Sequence, residues 1–345
     1  MSKSLVFCAD GTWDDPNDNS NVCQLYTALQ NIPGVQLPIY DSGVGANDTP
    51  IERMLGGAVG AGLFQKIKDG YSAISAQYEP GDQIFIFGFS RGAYTARSLA
   101  GMIAICGLPT VNQQDPECLD MAFEAYRNAA QRDVLLDTLN TDYKMDNAKI
   151  QLLGVWDTVG SLGIPALFGS IDVIQYGFLS TTLHEDVLTA VQALSIDEQR
   201  MQFQPAIFAP SPYPGQTLVQ IWFSGVHCDV GGGYPPDDNG ASLSNIPLLW
   251  MASYAKSAGL QFNAGAFSNA LLALDATASL HESRTGEYRL LPPHIRNIPS
   301  DSCLASSVSV RCGDPNSSYA PENLQFVAGQ LANTYSLVDV GSIVI

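Results

Sequence analysis

The sequence of 345 residues predicts an α/β fold with a mostly parallel central sheet flanked by helices. Three observations predict it. Short apolar runs recur along the chain. Helical patterns lie between them. The runs are nearly continuous rather than alternating, as strands covered on both faces require. With 46% hydrophobic residues the chain can fill one large core. Residues 1–345 are therefore read as a single domain carrying insertions.

The elements follow in order. KSLVFCAD (3–10) reads as the first strand and VQLPIYDSGVG (35–45) as the second. GLFQKIKDGYSAISAQY (62–78) is helical, and DQIFIFGF (82–89) is a strongly apolar third strand. RGAYTARSLAGMIAICG (91–107) is a helix whose Ala93, Ala96 and Ala100 leave room to pack closely on a sheet. Asp115 and Pro116 start a helical stretch over 115–139, an N-cap followed by proline at the first helical position. Residues 108–147 are read as a helical insertion.

AKIQLLGVWD (148–157) is the fourth strand. Residues 163–216 mix aromatic and apolar side chains with a Pro-rich exit, and are read as a lid or substrate cover. Within them TTLHEDVLTAVQAL (181–194) is read as an amphipathic helix, with Leu183, Val187, Leu188, Val191 and Leu194 on its apolar stripe. TLVQIWFSGVH (217–227) is the fifth strand. Beyond residue 260 come a helix, an irregular loop and a strand-like end, SLVDVGSIVI.

Charge excludes some partners. Sixteen Lys plus Arg against 34 Asp plus Glu leave −18. That argues against nucleic acid and against an anionic membrane as electrostatic partners. Transient membrane contact through apolar surface stays open. No run reaches the 18 or so apolar residues of a membrane span. The N-terminal apolar run stops at Asp10, too short for the core of a signal peptide. Cytoplasmic synthesis is expected, with any export by a route that reads no cleavable signal.

Seven scattered cysteines suggest free thiols rather than a disulfide framework, and no CxxC pair suggests zinc. Cys303 and Cys312 are the one pair that could bridge. DDPNDNSN resembles the start of a calcium loop but has Ser20 and Tyr26 where glycine and glutamate belong. No metal and no cofactor are expected.

Ser90 sits in Gly88-Phe89-Ser90-Arg91-Gly92. With 31 glycines and 30 serines in 345 residues, chance alone supplies roughly a quarter of one such serine, so the five letters decide little. Their context decides more. A strand precedes them, an alanine-lined helix follows, and small residues stand at both positions that a sharp strand-to-helix turn crowds. Ser90 is the candidate nucleophile.

A serine needs a base, and the chain has four histidines. His184 falls on a polar helix face and His294 in a surface loop beside Arg296. His227 ends an apolar strand and begins a loop with three consecutive glycines. Strand carboxyl ends are where function gathers in open α/β sheets. His227 is the first choice, and His281 the second. Asp157 also ends a strand and is the candidate orienting acid. Asp229, near the glycine loop, ties that loop or replaces Asp157. Asp197 and Glu198 read as a solvated face or as an ion pair with Arg200. The Arg91 N–H and an N–H from Gly11 or Thr12, just after Asp10, are the candidate oxyanion donors.

These pieces resemble the α/β-hydrolase domain family typified by type VI secretion phospholipase effectors. The matching segments are FCADGTW, YDSGVG, GFSRGAYTARSLAG, GVWDTVGSLG, ALSIDEQRMQF and WFSGVHCDVGGGY, in order over residues 7–234. LHESRTGEYRLLP extends them. Gln192 stands where members often carry histidine. The resemblance implies an α/β-hydrolase fold and a triad of Ser90, Asp157 and His227. It implies a serine esterase acting on phospholipid or other lipid acyl esters. A carbohydrate or other small-ester hydrolase, and a non-catalytic binding module, are the alternatives.

Overall fold

Two-sided burial governs the sheet. The computed structural model describes residues 2–11, 19–42, 59–159, 182–211 and 213–340. Its strands are β1 (Ser4–Ala9), β2 (Gln36–Asp41), β3 (Gln83–Phe89), β4 (Ile150–Trp156), β5 (Thr189–Ser195), β6 (Thr217–Phe223), β7 (Cys303–Ala305), β8 (Phe326–Val327), β9 (Gln330–Leu331) and β10 (Ser336–Val338). β8 and β9 form a separate hairpin. The other eight make one sheet in the order β10-β7-β6-β5-β4-β3-β1-β2, with every pair parallel. Parallel pairing puts every strand's carboxyl end on the same edge, so residues that follow different strands can converge there.

The helices are α1 (Asn21–Ala28), α2 (Val59–Ser75), α3 (Ser90–Cys106), α4 (Pro116–Arg127), α5 (Arg132–Tyr143), α6 (His227–Gly231), α7 (Asn245–Ser257), α8 (Ser268–Leu272) and α9 (Ser306–Gly313). They divide between two faces. Side chains alternate along each strand, so β3 sends Phe85, Phe87 and Phe89 into one core with α1 and α7. It sends Ile84 and Ile86 into a second core with α2, α3 and α4. This is why the strand reads as unbroken apolar sequence. Phe87 is fully buried, and its truncation to alanine should cost about 3–5 kcal/mol. The alanines of α3 do as their size suggests: Ala93, Ala96 and Ala100 are buried against the sheet.

Two expectations are corrected. Of the segment 181–194, the described residues 182–194 are not a helix. Its second half is β5, between β4 and β6 in the middle of the sheet. Residues 189–195 are thus sheet rather than cover. Residues 160–181, which hold much of the expected lid, lie outside the described residues. The stretch 115–139 is not one helix either. It breaks after Arg127, and α5 begins at Arg132. The predicted helix start holds, with the Asp115 side chain accepting from the Glu117 N–H and proline following. The seven cysteines are free thiols. Among the described residues no helix is long and apolar enough to cross a membrane.

Candidate active site

Close backbone approach builds the turn at Ser90. A side-chain carbon on Gly92 would meet the Ala9 and Asp10 carbonyl oxygens at 2.3 Å. One on Gly88 would meet the Gly92 carbonyl oxygen at 2.5 Å. No other residue fits at either place without moving β1 or α3. Between them Ser90 takes φ +58°, the left-handed region a non-glycine residue enters only under constraint. Asp157 is held similarly, at φ +37°.

Ser90, Asp157 and His227 follow β3, β4 and β6, and the sheet brings them together. Ser90 Oγ lies 2.8 Å from His227 Nε2. His227 Nδ1 lies 2.5 Å from Asp157 Oδ2. All three are buried. The His227 ring is fixed by two aromatics, Phe89 at 4.6 Å and Phe203 edge-on at 4.9 Å between centroids. Arg200 lies 3.5 Å over the Phe203 ring and pairs with the buried Glu198. Glu198 also accepts from the His227 N–H at 3.2 Å and from Ser283 Oγ at 2.9 Å. The ion pair expected between Glu198 and Arg200 is thus formed, but in the interior around His227 rather than on a solvated face.

Asp157 has a partner that sequence reasoning missed. Arg296, expected in a surface loop, is only 1% exposed. Its Nη1 donates to Asp157 Oδ1 at 2.7 Å and its Nη2 to Asp157 Oδ2 at 2.9 Å. The same guanidinium donates to the carbonyls of Ser195 and Phe203. The Ser195 N–H adds a further bond to Asp157 Oδ1 at 3.0 Å. Burial opposes the Asp157 charge, but Arg296 and His227 outweigh it and hold the carboxyl well below the usual carboxylate range. Burial draws the His227 imidazole below its ordinary value, against the raising pull of Asp157. A neutral His227 donating from Nδ1 to Asp157 leaves Nε2 as acceptor for the Ser90 hydroxyl.

The remaining candidates fall elsewhere. Asp229 pairs with His281, Oδ1 to Nδ1 at 2.6 Å, and accepts from the Val226 and His281 N–H groups. It ties the glycine loop, and neither it nor His281 reaches the serine. Tyr234 stacks on His281 at 4.0 Å. Asp10 accepts from Ser20 Oγ at 2.7 Å and Tyr40 Oη at 2.6 Å. It also takes the Gly11 N–H at 2.8 Å, so that N–H is turned to the carboxylate rather than left for an oxyanion. Thr12, the other donor expected from this loop, lies outside the described residues. Arg91 is the second residue of α3, where backbone N–H groups lie beyond reach of the helix's own carbonyls. Among the described residues no cluster of three or more His, Cys, Asp or Glu could hold a metal ion.

The parallel sheet, the helices on both faces and the grouping at the strand carboxyl ends define an α/β-hydrolase-like fold. Residues 3–254 match the family described as "T6SS, Phospholipase effector Tle1-like, catalytic domain", and the chain belongs to that family. It is similar to the uncharacterized protein YEL023C of Saccharomyces cerevisiae, with 29% identity in an alignment of length 241 that covers 61% of this chain. The chain spans 33% of that yeast protein. It is also similar to a crystal structure of an uncharacterized protein from Pseudomonas aeruginosa, with a TM-score of 0.46 and 17% identity, over 76% of this chain and 47% of that one.

Proposed function

We propose that the protein is a serine esterase that cleaves lipid acyl esters, phospholipids among them, through an acyl-enzyme. The observation that carries the reading is the continuous relay from Ser90 Oγ through His227 to Asp157, at 2.8 and 2.5 Å. In the first step Ser90 Oγ attacks the ester carbonyl carbon while its proton passes to His227 Nε2. The oxyanion forms beside the N-terminus of α3, where the Arg91 N–H and the helix dipole favour negative charge. Collapse of this intermediate breaks the bond to the alcohol, which leaves with the proton from His227. Water, deprotonated by His227, then attacks the acyl-enzyme. The free acid departs and Ser90 regains its proton. Asp157 stabilises the imidazolium in each half, and Arg296 holds Asp157 ionised and in place.

The phospholipid assignment rests on the family, whose description names phospholipase effectors. A net charge of −18 leaves apolar contact, rather than charge, as the means of docking on a bilayer. The test is turnover of nitrophenyl butyrate and of phosphatidylcholine vesicles by the wild type and Ser90→Ala. The wild type should hydrolyse both, and the variant, folded by circular dichroism, neither. Turnover of the butyrate with intact vesicles would keep the esterase and remove the lipid. Equal turnover by both proteins would remove the serine mechanism.

A further inference from the structure

Arg97 lies on α3 seven residues after Ser90, about 10 Å farther down the helix at 1.5 Å per residue. Its Nη1 donates to the Ala206 carbonyl, and its guanidinium stacks 3.7 Å from the centroid of the Phe208 ring. Among the described residues no carboxylate pairs with it. The chain has 34 carboxylates for 16 basic side chains, so this vacancy is not for lack of acids. Burial pushes the Arg97 pKa down to about 10, a cost that a bound anion would relieve.

A cavity of about 250 Å³ opens beside the guanidinium. Ala100, Ile105, Leu153, Leu183 and Val187 give it apolar walls, Tyr126, Thr182, His184 and Tyr213 line it as well, and none of its described lining residues is acidic. At about 30 Å³ for a water-sized group, it has room for roughly eight such groups. A guanidinium with N–H donors to spare therefore stands at the side of a slot walled largely by apolar side chains. A planar carboxylate matches the donor fork, and an unbranched chain of about eight carbons matches the slot.

We propose that this cavity is a second site, one that binds a medium-chain fatty acid with its carboxylate on Arg97 and its alkyl chain along α3 and the Leu183–Val187 wall. The head group is two helical turns from Ser90, so this is not the pose of a scissile ester. The site does not require Ser90 to be a nucleophile. If Ser90 does release acyl chains, their free acids belong to the class this cavity takes.

Isothermal titration of the full chain with octanoate, octanol and inorganic phosphate tests it. Octanoate should bind the wild type saturably at one site, and bind Ser90→Ala with the same affinity. Arg97→Gln should weaken it at least tenfold. Ile105→Trp, which keeps the guanidinium and fills the slot, should do the same and guards against misfolding of the first variant. Octanol and phosphate, each with half of the required chemistry, should bind at least tenfold more weakly than octanoate. Absence of saturable octanoate binding, unchanged affinity in Arg97→Gln and Ile105→Trp, or phosphate binding as tight as octanoate would each overturn the proposal.

Discussion

Ser90 holds a backbone conformation that an L-residue adopts at a cost of roughly 1–2 kcal/mol, and the crowding around Gly88 and Gly92 enforces it. Alanine removes the proposed nucleophile and keeps that cost, whereas glycine removes both. Ser90→Ala and Ser90→Gly should therefore be equally inactive, with Ser90→Gly the more stable by about 1 kcal/mol in urea unfolding. Arg296→Met would leave the Asp157 charge buried without its cation, which should cost about 3–5 kcal/mol of stability. Arg296→Lys should recover part of that loss and, lacking the fork, only part of the activity. Because burial draws His227 downward, the acid limb of kcat/KM should fall at a pH below the ordinary histidine value of about 6.5. An inflection above that value would contradict the buried, neutral base. The candidate triad was legible in the sequence because each member ends an apolar run. Arg296 was not: it reaches Asp157 across 139 positions from a proline-flanked loop that has no periodicity to read.

At the scale of elements, the turn between β3 and α3 depends on how close α3 comes to β1. Gly92→Ala would place a carbon 2.3 Å from two carbonyl oxygens of β1 and the residue after it. That contact is with backbone, which cannot rotate away. The variant should lose ester turnover and several degrees of melting temperature together, while Gly259→Ala, a surface turn glycine with φ +109° and nothing near it, should lose stability alone. Melting curves and nitrophenyl ester rates on the same samples separate the two. β5 shows what local pattern leaves undecided. Leu183, Val187, Leu188, Val191 and Leu194 satisfy a helical stripe, yet Leu183 and Val187 are buried in one core and Val191 and Leu194 in the other. Leu183 and Val187 precede β5, whereas Val191 and Leu194 lie within it, so a loop running into a strand mimics helical spacing over so short a span. The break between α4 and α5 was hidden similarly, since both helices turn apolar residues to the same core and no proline marks the join.

Across the whole molecule, the excess of acid makes the setting of each carboxylate matter for stability. Asp197 accepts from the Gly225 N–H at 2.6 Å and Tyr319 Oη at 2.8 Å, and burial raises its pKa to about 6. Its folded pKa then exceeds the unfolded value of about 3.9, so the native state holds the proton more tightly. The stability this supplies is complete below about pH 4 and is lost as pH rises through about 6. Asp197→Asn keeps an oxygen for both donors and cannot ionise. Its stability relative to the wild type should therefore rise between pH 4 and 7, by on the order of 2 kcal/mol, as read from urea midpoints at each pH. A constant difference would show that Asp197 is ionised throughout. The central claim is narrower than any of these: one serine, activated by one histidine, attacks an ester. Reaction with a fluorophosphonate, followed by peptide mapping, addresses it most directly. We expect a single adduct on Ser90, absent from Ser90→Ala and formed at least a hundredfold more slowly in His227→Ala. A wild-type protein that takes up no adduct, or takes it up on another of its serines, would contradict the account.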